Sequence, residues 1–145
     1  MEVDHFYEVS VNWEGERRGK VSSPVLDATI EVATPPQFPK GMEGIWSSEH
    51  LFVAAVNSCL MTTFLSFAEN SNLHFENFSS RAIGKLEMVD GKFMISEIKL
   101  MPTTLITEKS SEDKAKRILK KPESNCLISN PVRSKIVFES TVKVK

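Results

Sequence analysis

Residues 47–65 read SSEHLFVAAVNSCLMTTFL and begin the longest apolar stretch in the chain. From Leu51 to Ala68 the apolar side chains, among them Phe52, Val53, Val56, Leu60, Met61, Phe64, Leu65 and Phe67, fall on every side of a 3.6-residue period. The pattern predicts a helix from Ser48 to Asn70. Ser47 is its expected N-cap, and Glu49 in the first turn suits the positive end of the helix dipole. A helix without a wide polar face is normally buried on most sides. A chain of 145 residues can hardly enclose it with its own elements. A second subunit is therefore expected to cover part of it.

Upstream, Phe6 to Trp13 alternates, with Tyr7, Val9, Val11 and Trp13 on one side and Glu8, Ser10 and Asn12 on the other. That is the period of a half-buried strand. Gly15 and Gly19 bracket the charged turn Glu16-Arg17-Arg18. A second alternating run places Leu26, Ala28, Ile30 and Val32 inward and Asp27, Thr29 and Glu31 outward. The two runs are expected to form a hairpin whose connection carries both arginines. Residues 34–44, TPPQFPKGMEG, are rich in proline and glycine and should be irregular.

Downstream the reading is strand, tight turn, strand, helix, strand. Phe78 to Met88 and Lys92 to Leu100 alternate around Asp90-Gly91, a strong hairpin signal. Ser111 to Lys121 is an expected surface helix, acidic first and basic last, which Pro122 should stop or bend. Ser134 to Val144 would close the chain as a strand. The sum is one α+β domain over residues 1–145, without repeats or linkers.

Composition narrows the function classes. Eighteen basic residues against nineteen acidic ones lack the basic excess of a nucleic-acid footprint. No run reaches the ~18 uninterrupted apolar residues of a membrane helix. The first ten residues, MEVDHFYEVS, have no basic segment followed by an apolar one, so no signal peptide is expected and a cytoplasmic location is. The two cysteines, Cys59 and Cys126, form no CxxC pair, and His5, His50 and His74 stand apart from one another. Neither a metal site nor a cofactor is expected.

Taken one at a time, the candidate residues have ordinary explanations. A free cysteine such as Cys59 or Cys126 is usually a small buried hydrophobe. Arg17 and Arg18 on a turn are usually solvated, and Glu49 could simply complement the helix dipole. His50 has no evident partner in the sequence and reads as structural. Together they match a pattern. SSEHLFVAAVNSCLMTTFL resembles the signature of the OsmC/Ohr organic hydroperoxide reductases, in which a proline-glutamate pair opens a long apolar helix and the reactive cysteine follows ten positions after the glutamate. Glu49 and Cys59 hold that spacing. The later NCLISN is similar to the segment with the family's second cysteine, placing Cys126 there. ERRGKVSSPVLDATIEVATPP resembles the family's Arg-x-Gly turn, strand and proline-rich loop, with Arg17 in the matching register and Arg18 one position away. Ser48 stands where the proline is usual, and Leu127 where proline often follows the second cysteine.

The resemblance implies an OsmC-like fold, with antiparallel strands around a long buried central helix in an intertwined homodimer. It implies a peroxidase that reduces alkyl or fatty-acid hydroperoxides. In that chemistry Cys59 is the nucleophile, Cys126 forms a disulfide with the oxidised Cys59, and Arg17 and Glu49 complete the site. A dithiol, with lipoylated protein the leading candidate, would be the reductant. Two other classes remain open at this point. A disulfide oxidoreductase would also use two cysteines, and a non-catalytic domain binding an apolar ligand or partner would need only the hydrophobic helix.

Overall fold

The computed structural model describes residues 4–125 together with Val137 and Glu139. The expected strand from Ser134 to Val144 therefore lies outside the described residues, except for those two positions. Three strands come first, β1 (Ser10–Trp13), β2 (Arg18–Ser23) and β3 (Leu26–Ala33), forming an antiparallel sheet in the order β1-β2-β3. The hairpin expected between Phe6–Trp13 and Leu26–Val32 is thus wrong in its pairing. Arg18–Ser23 lies between them as a strand of its own, with Trp13 opposite Gly19 and Val21 opposite Ile30. Its residues, RGKVSS, include one large apolar side chain, so hydrophobic alternation does not mark it. The first strand is also shorter than its pattern, because Phe6 to Val9 are exposed and unpaired in the ladder.

Residues 34–47 form an irregular loop, and helix α1 (Ser48–Asn70) follows with the expected limits. Its buried positions, Val56, Leu60, Phe64 and Ala68, recur every four residues and make one stripe. Phe52, Met61 and Leu65 each stay about two-fifths exposed. The single chain therefore covers one stripe of α1, not most of its sides. By length and composition α1 is apolar enough to cross a membrane, with a mean hydropathy of 1.8. Counting uninterrupted residues missed this, since Asn57, Ser58, Thr62 and Thr63 break the run without much lowering its average.

Two long strands, β4 (Phe75–Val89) and β5 (Lys92–Ile106), make a two-stranded ribbon turned at Asp90 and Gly91, whose φ values are 50° and 79°. Positive φ at both central residues is what a tight hairpin turn of this type requires. Both strands overrun their expected ends. A short 3-10 turn, Lys109–Ser111, leads into α2 (Glu112–Asn125), which continues past Pro122 instead of stopping there.

The described residues fall into two compact units, one of residues 4–54 with Ile83–Lys99, the other of Ala55–Ala82 with residues 100–125. In the first, Gly84 of β4 lies so close to Val53 of α1 that a β-carbon there would collide with the valine methyl. The core of the second gathers Phe64, Ala68, Leu73, Ala115 and Ile118. Phe64 is fully buried, stacked on Phe78 at 4.6 Å between centroids and edge-on to Phe75 at 5.2 Å. Full burial of such a ring contributes roughly 1.5–3 kcal/mol.

Candidate functional site

Arg17 sits in the turn between β1 and β2, and backbone and side-chain bonds hold that turn. The Trp13 indole N–H donates to the Glu16 carbonyl at 3.0 Å, and the Arg18 N–H donates to the Gly15 carbonyl at 3.1 Å. The Arg17 carbonyl accepts the Thr34 N–H at 3.1 Å, tying the turn to the end of β3. There the chain continues into the proline-rich loop, and the Ala33 N–H donates to the Trp46 carbonyl at 2.8 Å. The same strands thereby carry the loop back to the start of α1.

That start is capped by Ser47. Its hydroxyl accepts the His50 backbone N–H, and its carbonyl accepts the first helical bond, from the Leu51 N–H at 3.0 Å. His50 is thus not partnerless, as the sequence reading had it: its Nδ1 lies 2.7 Å from the Ser47 hydroxyl, and its ring meets Trp46 edge-on. The partnership was detectable as a serine three positions before a histidine at a helix start.

An open cavity of about 980 Å³ lies where these pieces meet. Arg17, Arg18 and Glu49 line it, with Val11, Trp13, Val21, Phe38 and Leu51 among its walls. Arg17 and Glu49, 32 positions apart in sequence (49 − 17 = 32), are brought to one cavity. The glutamate's Oε2 is buried and has no hydrogen-bond partner among the described residues. A buried carboxylate oxygen left unpaired is costly and is a ready acceptor for a cation. The two arginines differ. Arg18 opens β2 and reaches Glu31 at 3.9 Å, both side chains being nearly half exposed. Arg17 has no ion pair among the described residues.

Cys59 lies on α1, ten positions after Glu49, half-buried and as a free thiol. Its Sγ is 3.9 Å from the Thr63 hydroxyl, one helical turn on, and its carbonyl accepts the Thr62 hydroxyl at 3.2 Å. Thr63 was passed over in the sequence, although an i, i+4 pair on one helix is visible there. Cys126 lies outside the described residues. Among the described residues no cluster of His, Cys, Asp and Glu could hold a metal ion.

Comparison with known proteins agrees with this architecture. The chain is 25% identical to the uncharacterised protein YmaD of Bacillus subtilis over 99% of its length and 97% of YmaD. Its fold matches the OsmC-like protein of unknown function VCA0330 from Vibrio cholerae with a TM-score of 0.79 at 24% identity, covering 94% of this chain and 99% of that one. It also matches an organic hydroperoxide resistance protein from Elizabethkingia anophelis, whose crystals hold thiocyanate, with a TM-score of 0.74 at 19% identity over 92% of both chains. These likenesses establish an α+β fold. The family profile described as OsmC-like protein matches residues 41–141, and with the fold this places the chain in the OsmC-like protein family.

Proposed function

We propose that the chain is a cysteine-dependent peroxidase that reduces organic hydroperoxides to alcohols. The observation that supports it is the meeting of Arg17 and Glu49 at one apolar-walled cavity, at the head of the helix that carries Cys59. A thiolate, not a thiol, attacks peroxide oxygen, and a free thiol of pKa about 8.5 is mostly protonated at neutral pH. A guanidinium near the sulfur favours the thiolate and stabilises charge building on the departing oxygen. Glu49 is the carboxylate at that cavity that can take up the guanidinium in charge-assisted hydrogen bonds, since its buried Oε2 is free.

The Cys59 thiolate attacks the terminal peroxide oxygen, an S–O bond forms and the O–O bond breaks. Sulfur is oxidised by two electrons, and the alkoxide leaves and takes a proton from solvent. The Cys126 thiol condenses with the sulfenic acid to a disulfide, releasing water. A dithiol then returns two electrons by exchange, a lipoylated protein being the leading donor. The walls formed by Val11, Trp13, Val21, Phe38 and Leu51 suit an alkyl or fatty-acid hydroperoxide better than hydrogen peroxide.

The working unit in this proposal is a cytoplasmic homodimer. In it the exposed Met61 and Leu65, one turn apart on α1, are covered by the second subunit rather than by lipid. Thiol counting after a small excess of cumene hydroperoxide tests the reading. Loss of both thiols without an intermolecular cross-link is the expected result. Two unreacted thiols would overturn it in favour of a binding domain.

A further inference from the structure

Thr63 lies one turn beyond Cys59 on α1, and both residues are half-buried. Its Oγ1 is 3.9 Å from the Cys59 sulfur and has no other hydrogen-bond partner among the described residues. The neighbouring Thr62 hydroxyl is already committed to the Cys59 carbonyl at 3.2 Å, the usual back-bond of threonine in a helix. Of the two adjacent hydroxyls, one therefore holds backbone and the other meets the sulfur.

We infer that Thr63 is a further catalytic residue, donating a hydrogen bond to the Cys59 thiolate. In the neutral pair either atom can donate, and a thiol is weak in both roles. A thiolate has no proton, so once Cys59 ionises only the Thr63 hydroxyl can donate. The bond then becomes charge-assisted, and such bonds are shorter and about twice as strong as neutral ones. A separation of 3.9 Å is long for the neutral pair and leaves room for that contraction. The interaction gained on ionisation favours the anion over the thiol. Because donor and sulfur share one helix, the assistance needs no partner chain and no movement of a loop. Its consequence for peroxide reduction rests on the proposed function, whereas its effect on the sulfur does not.

Alkylation of Cys59 by iodoacetamide tests this, followed on the Cys59 peptide by mass spectrometry across a pH series. Thr63→Val keeps the shape and removes the hydroxyl, and its alkylation midpoint should rise by about one pH unit. Thr63→Ala, which removes the hydroxyl without β-branching, should shift in the same direction. Thr63→Ser, which keeps the hydroxyl, should stay near wild type. Unshifted profiles for both Val and Ala variants overturn the assignment, as does a Ser variant that shifts as far as they do. Cumene hydroperoxide consumption is measured on the same wild-type preparation. A wild type that consumes none overturns the peroxidase reading but leaves an observed alkylation shift standing. An active wild type with unshifted variants overturns the role of Thr63 alone.

Discussion

The Ser47 hydroxyl accepts the backbone N–H of His50 at 3.1 Å and lies 2.7 Å from the same residue's Nδ1. A hydroxyl has one proton and two lone pairs, so it can accept the amide proton and still share a second hydrogen bond with the ring nitrogen in either tautomer. Ser47 is fully buried, so the exchange satisfies a group that would otherwise be costly to enclose. It also fixes the helix turn that carries Glu49.

Ser47→Ala removes the cap and leaves the His50 Nδ1 without this partner. The loss should be about 1–2 kcal/mol of stability. In urea titrations the midpoint should fall with an unchanged slope. An unchanged midpoint would show that the cap contributes nothing to the start of α1.

Arg17 and Arg18 both line the cavity, but Arg18 already reaches Glu31 at the surface. Exposed pairs of this kind contribute little, about 0–1 kcal/mol, and draw the guanidinium away from the cavity. Arg17→Ala should therefore raise the pH at which Cys59 is alkylated, by about one unit, and Arg18→Ala should leave it nearly unchanged. The reverse pattern would move the role to Arg18.

Asn57 ties α1 to β4, its Nδ2 donating to the Ser80 carbonyl at 2.9 Å. Its Oδ1 and the Ser80 hydroxyl are buried and unpartnered among the described residues. Losing the tie strands a buried carbonyl, so Asn57→Ala should cost about 1–3 kcal/mol. Ser80→Ala deletes a hydroxyl that gains nothing in the fold, and should be neutral or slightly stabilising. Thermal melts of the two variants should therefore move apart. A Ser80→Ala variant as unstable as Asn57→Ala would mean that the hydroxyl has a partner after all.

The helix limits and the Asp90-Gly91 turn were legible in sequence because each rests on local chemistry: a cap, a long apolar run, two residues tolerant of positive φ. Strand β2 was not, because RGKVSS is held by neighbours on both sides and not by its own pattern. The overrun of β5 through Pro102 has a similar cause. Among the described residues each strand of this ribbon has a free edge, where a missing N–H need not break a ladder bond. The candidate residues could be singled out only as residue types at family spacing. That Arg17 and Glu49 share a cavity follows from the β1-β2-β3 register and the loop after it, which no local pattern announces.

Glu49 and Cys59 lie ten positions apart on one continuous helix, and a rise of ~1.5 Å per residue separates them by about 15 Å along its axis. Steps of ~100° also turn the two side chains to different faces. An arginine held by Glu49 is poorly placed to serve the sulfur on that same helix. If α1 packs beside its two-fold mate, Arg17 and Glu49 of one protomer can serve Cys59 and Cys126 of its partner. Met61 and Leu65, one turn apart and both left exposed on α1, supply a surface for that packing. Unfolded Cys59→Ser and Arg17→Ala chains, mixed equally and refolded, distinguish the arrangements by their dithiol-dependent peroxide consumption. Half of the dimers should be hybrids with one intact site of two, returning about a quarter of wild-type activity. Hybrids that form yet remain as inactive as their parents would place the whole site within a single chain.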